Sequence, residues 1–144
     1  MEPVLECSRL VKDYEHTRAL AGVDLTLYRG RIVGLLGPNG SGKTTLIKLA
    51  AGLLQPTAGE ILVAGRAPGR ETKALVSYLP ERTYLPDWMS ASQAVEFFSD
   101  FYADFDAAAA MDMLGRLAIP LESRFKALSK GTREKMQLIL VMSR

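Results

Sequence analysis

Two hydrophobic periods divide the chain. In residues 20–28, Val23, Leu25 and Leu27 alternate with Asp24, Thr26 and Tyr28, the two-residue period of a strand with one buried face, and residues 4–10 read as a companion strand. Gly30 and Arg31 turn the chain into Ile32, Val33, Gly34, Leu35 and Leu36, a run apolar on both faces that predicts the centre of a parallel sheet. Past Gly42 the period lengthens to that of a helix, with Leu46, Ile47, Leu49, Ala50 and Leu53 on its inner side and a stop before Pro56. Further strands are expected at residues 59–65 and 75–79, with no helix between them.

After Trp88 the texture becomes helical. Ser90 and Gln93 are spaced as a capping box, and Ala94, Phe97, Phe98, Phe101, Tyr102 and Phe105 follow at helical spacing. This aromatic stripe predicts packing within a helical subdomain. Asp106 is placed to cap a second helix whose Met111, Leu114, Leu117 and Ala118 line one side before Pro120 ends it. A last helix is expected from near Thr132, apolar almost all round through Met136, Leu138, Ile139, Leu140, Val141 and Met142, and therefore buried.

Composition narrows the possible functions. The 144 residues carry 18 Lys and Arg against 16 Asp and Glu, interspersed, for a net charge of +2, so no basic stripe points to nucleic acid. Cys7 is the sole cysteine and His16 the sole histidine, which excludes an internal disulfide and any metal site built from several of either; Cys7 reads as a small buried strand residue. No run approaches the length of a membrane span, and Glu2 and Pro3 stand where a secretory signal would be basic and then apolar. The expected location is cytoplasmic, peripheral to a membrane only through a partner.

The densest chemistry follows the apolar run directly: Gly37, Pro38, Asn39, Gly40, Ser41, Gly42, Lys43, Thr44, Thr45. This is G-x-x-x-x-G-K-[ST] between an expected strand and an expected helix, the setting of a phosphate-binding loop. Glycines let the backbone curl so that its N–H groups converge, and the helix starting near Gly42 aims the positive end of its dipole at the same point. Lys43 is placed to reach the β- and γ-phosphates of a nucleotide, and the Thr44 hydroxyl to ligate a bridging Mg²⁺. Further along, Leu128, Ser129, Lys130, Gly131 and Thr132 form a Ser-x-Gly turn opening a helix, a second arrangement suited to an anion.

Taken with Val11, Lys12, Asp13 and Tyr14 upstream and with Tyr78, Leu79, Pro80 and Glu81 downstream, these motifs fall at the spacings of ATP-binding-cassette (ABC) ATPases, which the chain resembles over essentially its whole length. The resemblance implies an α/β fold: a P-loop NTPase core with an N-terminal antiparallel β region and a helical subdomain, truncated. Residues 1–88 would form a β-rich nucleotide-binding core with an incomplete sheet, residues 89–130 the helical subdomain and residues 131–144 the signature helix. It also implies that Tyr14 stacks on adenine. Glu81 stands where the family usually has the glutamine of its Q-loop, as a catalytic-site carboxylate and second Mg²⁺ ligand, and Leu79, Pro80 and Glu81 resemble the branch that powers two-component exporters. Ser129 and the Gly131 amide, in a signature that departs from Leu-Ser-Gly-Gly-Gln at Lys130 and Thr132, would touch the γ-phosphate held by an opposite subunit.

In this family the attacking water is served by a strand of four apolar residues ending Asp-Glu and by a later histidine. No such run follows Lys43, and His16 lies upstream of the loop. The resemblance implies that these elements follow Arg144, that the intact dimer of ATP-binding subunits hydrolyses MgATP to energise a membrane-spanning subunit, and that the 144 residues alone are hydrolytically deficient. Arg82, Tyr84, Leu85 and Trp88 form the expected contact with the membrane partner. A soluble non-transport ABC-type ATPase and a fragment that only binds nucleotide are the alternative readings.

Overall fold

The alternation read in the first thirty residues becomes an antiparallel hairpin. In the computed structural model, which describes residues 2–144, β1 (Pro3–Tyr14) pairs with β2 (Thr17–Tyr28) through Leu5 opposite Leu27, Cys7 opposite Leu25 and Tyr14 opposite Thr17. On its other edge β1 takes β3 (Ala58–Val63), also antiparallel, giving the order β2-β1-β3. The ladder slips between Cys7 and Leu10, where Arg9 adopts a φ of 46° and its N–H donates to Asp24 Oδ1 at 2.7 Å. Gly59 passes so close under the Arg9 carbonyl that a Cβ would collide with it.

The chain divides into two units, Met1–Val76 and Ser77–Arg144. In the first, α1 (Lys43–Ala50) lays Leu46 and Leu49 over the sheet, closing a core of Cys7, Leu10, Leu20 and Ile61. Ile47 and Leu53, expected inside, are exposed, because the helix ends at Ala50 and only one face meets the strands. Burial holds the Cys7 thiol above its ordinary pKa, and the nearby Asp24 carboxylate adds to this.

Two predicted strands do not form. Residues 31–38 and 75–80 have no ladder partner among the described residues, and Ile32 and Leu36 are essentially fully exposed at 105% and 92%. A parallel strand exists only by pairing with others and being covered on both faces; an apolar run with neither remains irregular. A single helical turn, α2 (Arg70–Lys73), also lies where no helix was expected; the Thr72 hydroxyl accepts from the Gly69 N–H at 2.7 Å and donates to its carbonyl at 3.1 Å.

The second unit is helical: α3 (Ala91–Phe101), α4 (Ala107–Arg116), a 3₁₀ turn at Phe125–Ala127 and α5 (Lys130–Met142). Ser90 and Gln93 form the capping box foreseen, and Asp106 accepts from Ala109 N at 2.9 Å. Phe98, Leu114, Phe125, Met136, Ile139 and Leu140 are the centre of its core. The buried line of α3 is Ala91, Ala94, Val95 and Phe98, with Tyr102 and Phe105 packed against the same core, so the expected stripe is covered except at Phe97 and Phe101, which are exposed and stacked on each other at 5.9 Å. On α4 the inner positions are Ala110 and Leu114, while Met111, Leu117 and Ala118 face solvent. Leu138 and Met142 of α5 are likewise exposed. Each helix packs along a strip narrower than its apolar sequence, so the rim residues stay outside.

Residues 77–88, expected with the β-rich part, pack into the helical unit. Leu85 and Met89 join its core, Ser77 Oγ donates to Val141 O at 2.9 Å, and the Tyr84 N–H donates to Gln137 Oε1 at 3.2 Å. No helix among the described residues is long and apolar enough to cross a membrane.

Candidate functional site

The phosphate loop is shaped by its glycines and closed by its lysine. Gly40 and Gly42 have φ of 81° and 89°, in the left-handed region that favours glycine. A Cβ on Gly42 would strike the Ala19 carbonyl and the Leu20 side chain, and one on Gly37 would lie 2.7 Å from Ser41 Oγ. At Gly42 the chain enters α1, whose first turn carries Lys43, Thr44 and Thr45. The Lys43 ammonium donates to the carbonyls of Gly37 at 2.8 Å and Pro38 at 2.7 Å, with Ser41 Oγ at 3.4 Å. Ser41 N closes the turn on Pro38 O at 3.3 Å. The single cation of the loop thus sits against its Gly37 and Pro38 carbonyls, beside the start of α1, where the helix dipole has its positive end.

Tyr14, at the end of β1, belongs to the same unit and the same neighbourhood. Its hydroxyl lies 3.4 Å from Thr45 Oγ1, which ties the ring to the first turn of α1, and the ring is 46% exposed. Asp13 beside it is taken by Arg18, at 2.8 and 3.1 Å, and this ion-paired hydrogen bond holds the carboxyl below its ordinary pKa. Lys12 reaches over the Tyr14 ring at 5.5 Å from its centroid and donates to Gln55 O at 2.8 Å. Sequence reading gave Lys12 no role; its position two residues before Tyr14 on one strand was the available signal.

The remaining predicted residues lie in the helical unit. Ser129 is the N-cap of α5, accepting from Thr132 N at 3.2 Å with Thr132 Oγ1 at 2.8 Å, so α5 begins two residues earlier than expected. Gly131 follows in the first turn with open space where a Cβ would stand. Glu81 and Gly131 line one open cavity of about 490 Å³, together with Leu79, Pro80, Lys135 and Gln137. Gln137, which sequence reading overlooked as one more residue on an apolar helix, is buried there and holds the Tyr84 backbone. Tyr84 is itself half covered, and burial, with Tyr102 nearby, pushes its phenol up to about 12. Trp88 is exposed and lines a second cavity of about 370 Å³ with Ser90, Gln93, Glu122 and Arg124. No cluster of three or more His, Cys, Asp or Glu that could hold a metal occurs among the described residues.

Comparison with known proteins shows the family. The family model described as ABC transporter matches residues 20–144. The ABC transporter ATP-binding protein YtrB of Bacillus subtilis (strain 168) is 31% identical over 139 residues, covering 95% of this chain and 48% of that protein. Among solved structures, a putative ABC transporter ATP-binding protein from Pyrococcus furiosus superposes with a TM-score of 0.83 at 30% identity, over 96% of this chain and 70% of that one. An ATP-binding subunit of an ABC transporter gives a TM-score of 0.80 at 29% identity, over 95% and 60% of the two chains. The chain spans about half or less of the length of YtrB and two further curated relatives that it matches.

Proposed function

Because the chain belongs to the ABC transporter ATP-binding family, we propose that it binds MgATP and is part of the subunit that energises a transporter. The observation that carries this reading is the Lys43 ammonium at the mouth of a glycine-shaped loop that opens α1. Carbonyl oxygens already gather this cation; phosphate oxygens in their place are charged acceptors for it, and charge-assisted hydrogen bonds are the strong ones. The loop suits the ligand: Gly37, Gly40 and Gly42 allow close approach of backbone N–H groups, and the donor set contains a cation and no carboxylate.

Mg²⁺, when bound with the nucleotide, supplies charge neutralisation across the β- and γ-phosphates. Thr44 would contribute a hydroxyl to hold it and, as the family resemblance implies, Glu81 a carboxylate; Tyr14 would offer a π-face to the base, and Ser129 and Gly131 would meet the nucleotide of an opposing copy in a dimer. Titration of the purified chain with a fluorescent ATP analogue should show Mg²⁺-dependent binding that Lys43→Met weakens about 10- to 100-fold, the value of one charge-assisted contact. Equal affinity of the variant and the parent would overturn the reading.

Hydrolysis needs a group that orients or deprotonates water, which typically supplies ~10²–10⁴-fold in rate. Residues 44–144 contain no Asp-Glu pair and no histidine, so these residues bind and position nucleotide and turn it over poorly by themselves. A steady ATPase rate from the chain, abolished by Lys43→Ala, would contradict this. Arg82, Tyr84, Leu85 and Trp88 are the proposed docking surface for a membrane-spanning partner at the inner face of a membrane, a reading supported by the exposure of Trp88 and the polar cavity beside it. Loss of co-purification with a membrane protein on Trp88→Glu is the expected outcome there.

A further inference from the structure

We propose that Lys12 is a positioning residue for the nucleotide base: it covers one face of the Tyr14 ring, so that a base stacks on the other. This rests on the reading of Tyr14 as the base platform. The Lys12 ammonium stands 5.5 Å from the ring centroid, within the range of a cation–π contact, and its hydrogen bond to the Gln55 carbonyl at 2.8 Å fixes it there. The backbone around it is held to the same turn, Asp13 N donating to Thr57 Oγ1 and Thr57 N to Val11 O, each at 2.9 Å. Asp13 hydrogen-bonds Arg18 and feels the Lys12 charge only as its smallest electrostatic influence, and the direct contacts of the ammonium are the Gln55 carbonyl and the ring.

Three constraints therefore converge on one aromatic side chain. Its hydroxyl meets Thr45, its backbone is paired with Thr17, and one face carries a cation. The ring cannot turn freely, which removes part of the ordering cost that a base would otherwise impose on binding. The ammonium also draws π density towards itself, leaving the far face less repulsive to the π cloud of a purine.

The test compares MgATP with magnesium tripolyphosphate, which lacks the base, by competition against a fluorescent ATP analogue on the full chain. Lys12→Met should weaken MgATP about three- to tenfold and leave tripolyphosphate unchanged, whereas Lys12→Arg, which keeps a cation, should stay within about twofold of the parent. Equal losses for both ligands in Lys12→Met would mean general charge attraction, and no loss for either would mean no role; both overturn the proposal. If Lys12→Met unfolds, a folded Lys12→Gln serves in its place under the same criteria. Tyr14→Ala separates the two levels: if the parent's preference for MgATP survives in it, the base-platform reading falls. If the preference disappears there but persists in Lys12→Met, only the assignment of Lys12 fails.

Discussion

The side-chain oxygen of Gln137 accepts the backbone N–H of Tyr84 at 3.2 Å, joining the loop that carries Glu81 to the helix that carries Ser129 and Gly131. One helical turn further on, Val141 O accepts from Ser77 Oγ, so the segment from Ser77 to Tyr84 is fastened to α5 twice. Gln137→Met keeps the volume and removes the acceptor. The Tyr84 amide should then exchange with deuterium about tenfold faster, and the chain should lose about 1–2 kcal/mol in urea unfolding, whereas Gln137→Glu, which retains an oxygen, should protect the amide better than Met.

Gly42 joins the loop to α1 at a φ of 89°, and the space beside its Cα is filled by the Ala19 carbonyl and Leu20. Gly42→Ala should cost at least about 2 kcal/mol, since the left-handed backbone alone costs an L-residue about 1–2 kcal/mol and the contact adds to it. The urea midpoint reads the loss. The same change at Gly131, where nothing stands near the Cβ, should be nearly silent in stability.

Phe98 and Phe101 are neighbours on α3 with opposite fates, one in the core and one exposed at 67%. Phe98→Ala should destabilise by about 3–5 kcal/mol through the cavity it leaves, and Phe101→Ser by no more than about 0.5 kcal/mol. Similar losses from the two would show that the aromatic stripe is buried as a whole.

Cys7 is 4% exposed, and its folded pKa is raised first by burial and then by Asp24. The folded chain therefore keeps this proton to higher pH than the unfolded chain. The stabilisation is complete below the unfolded thiol pKa and is lost as pH rises through the folded one. Iodoacetamide labelling at pH 8 should be slow in buffer and fast in urea, with a urea midpoint that declines more steeply above the ordinary thiol range in the parent than in Cys7→Ala.

Local signals were well preserved from sequence to structure. The alternation in β2, the Ser90–Gln93 capping box, the Asp106 cap and the phosphate loop before α1 each depend on residues a few positions apart, and each formed where the residue pattern placed it. What the pattern could not supply was choice among surfaces. The run at residues 32–36 is as apolar as any strand in the chain, yet it has no ladder, because pairing depends on a neighbour that sequence alone does not position. The exposure of Phe97 and Phe101 on α3 has the same origin: helical spacing permits a wider stripe than the core of the helical unit covers.

The candidate site residues were picked out by type and spacing: a lysine after a glycine turn, a serine opening a helix, an aromatic at a strand end. Their arrangement was not. That Thr45 meets the Tyr14 hydroxyl, that Gln55 holds the Lys12 ammonium, and that Gln137 turns inward to hold Tyr84 are outcomes of packing between segments tens of residues apart. Such contacts arise only when a hydrophobic core brings the segments together and leaves each buried polar group to find a partner nearby.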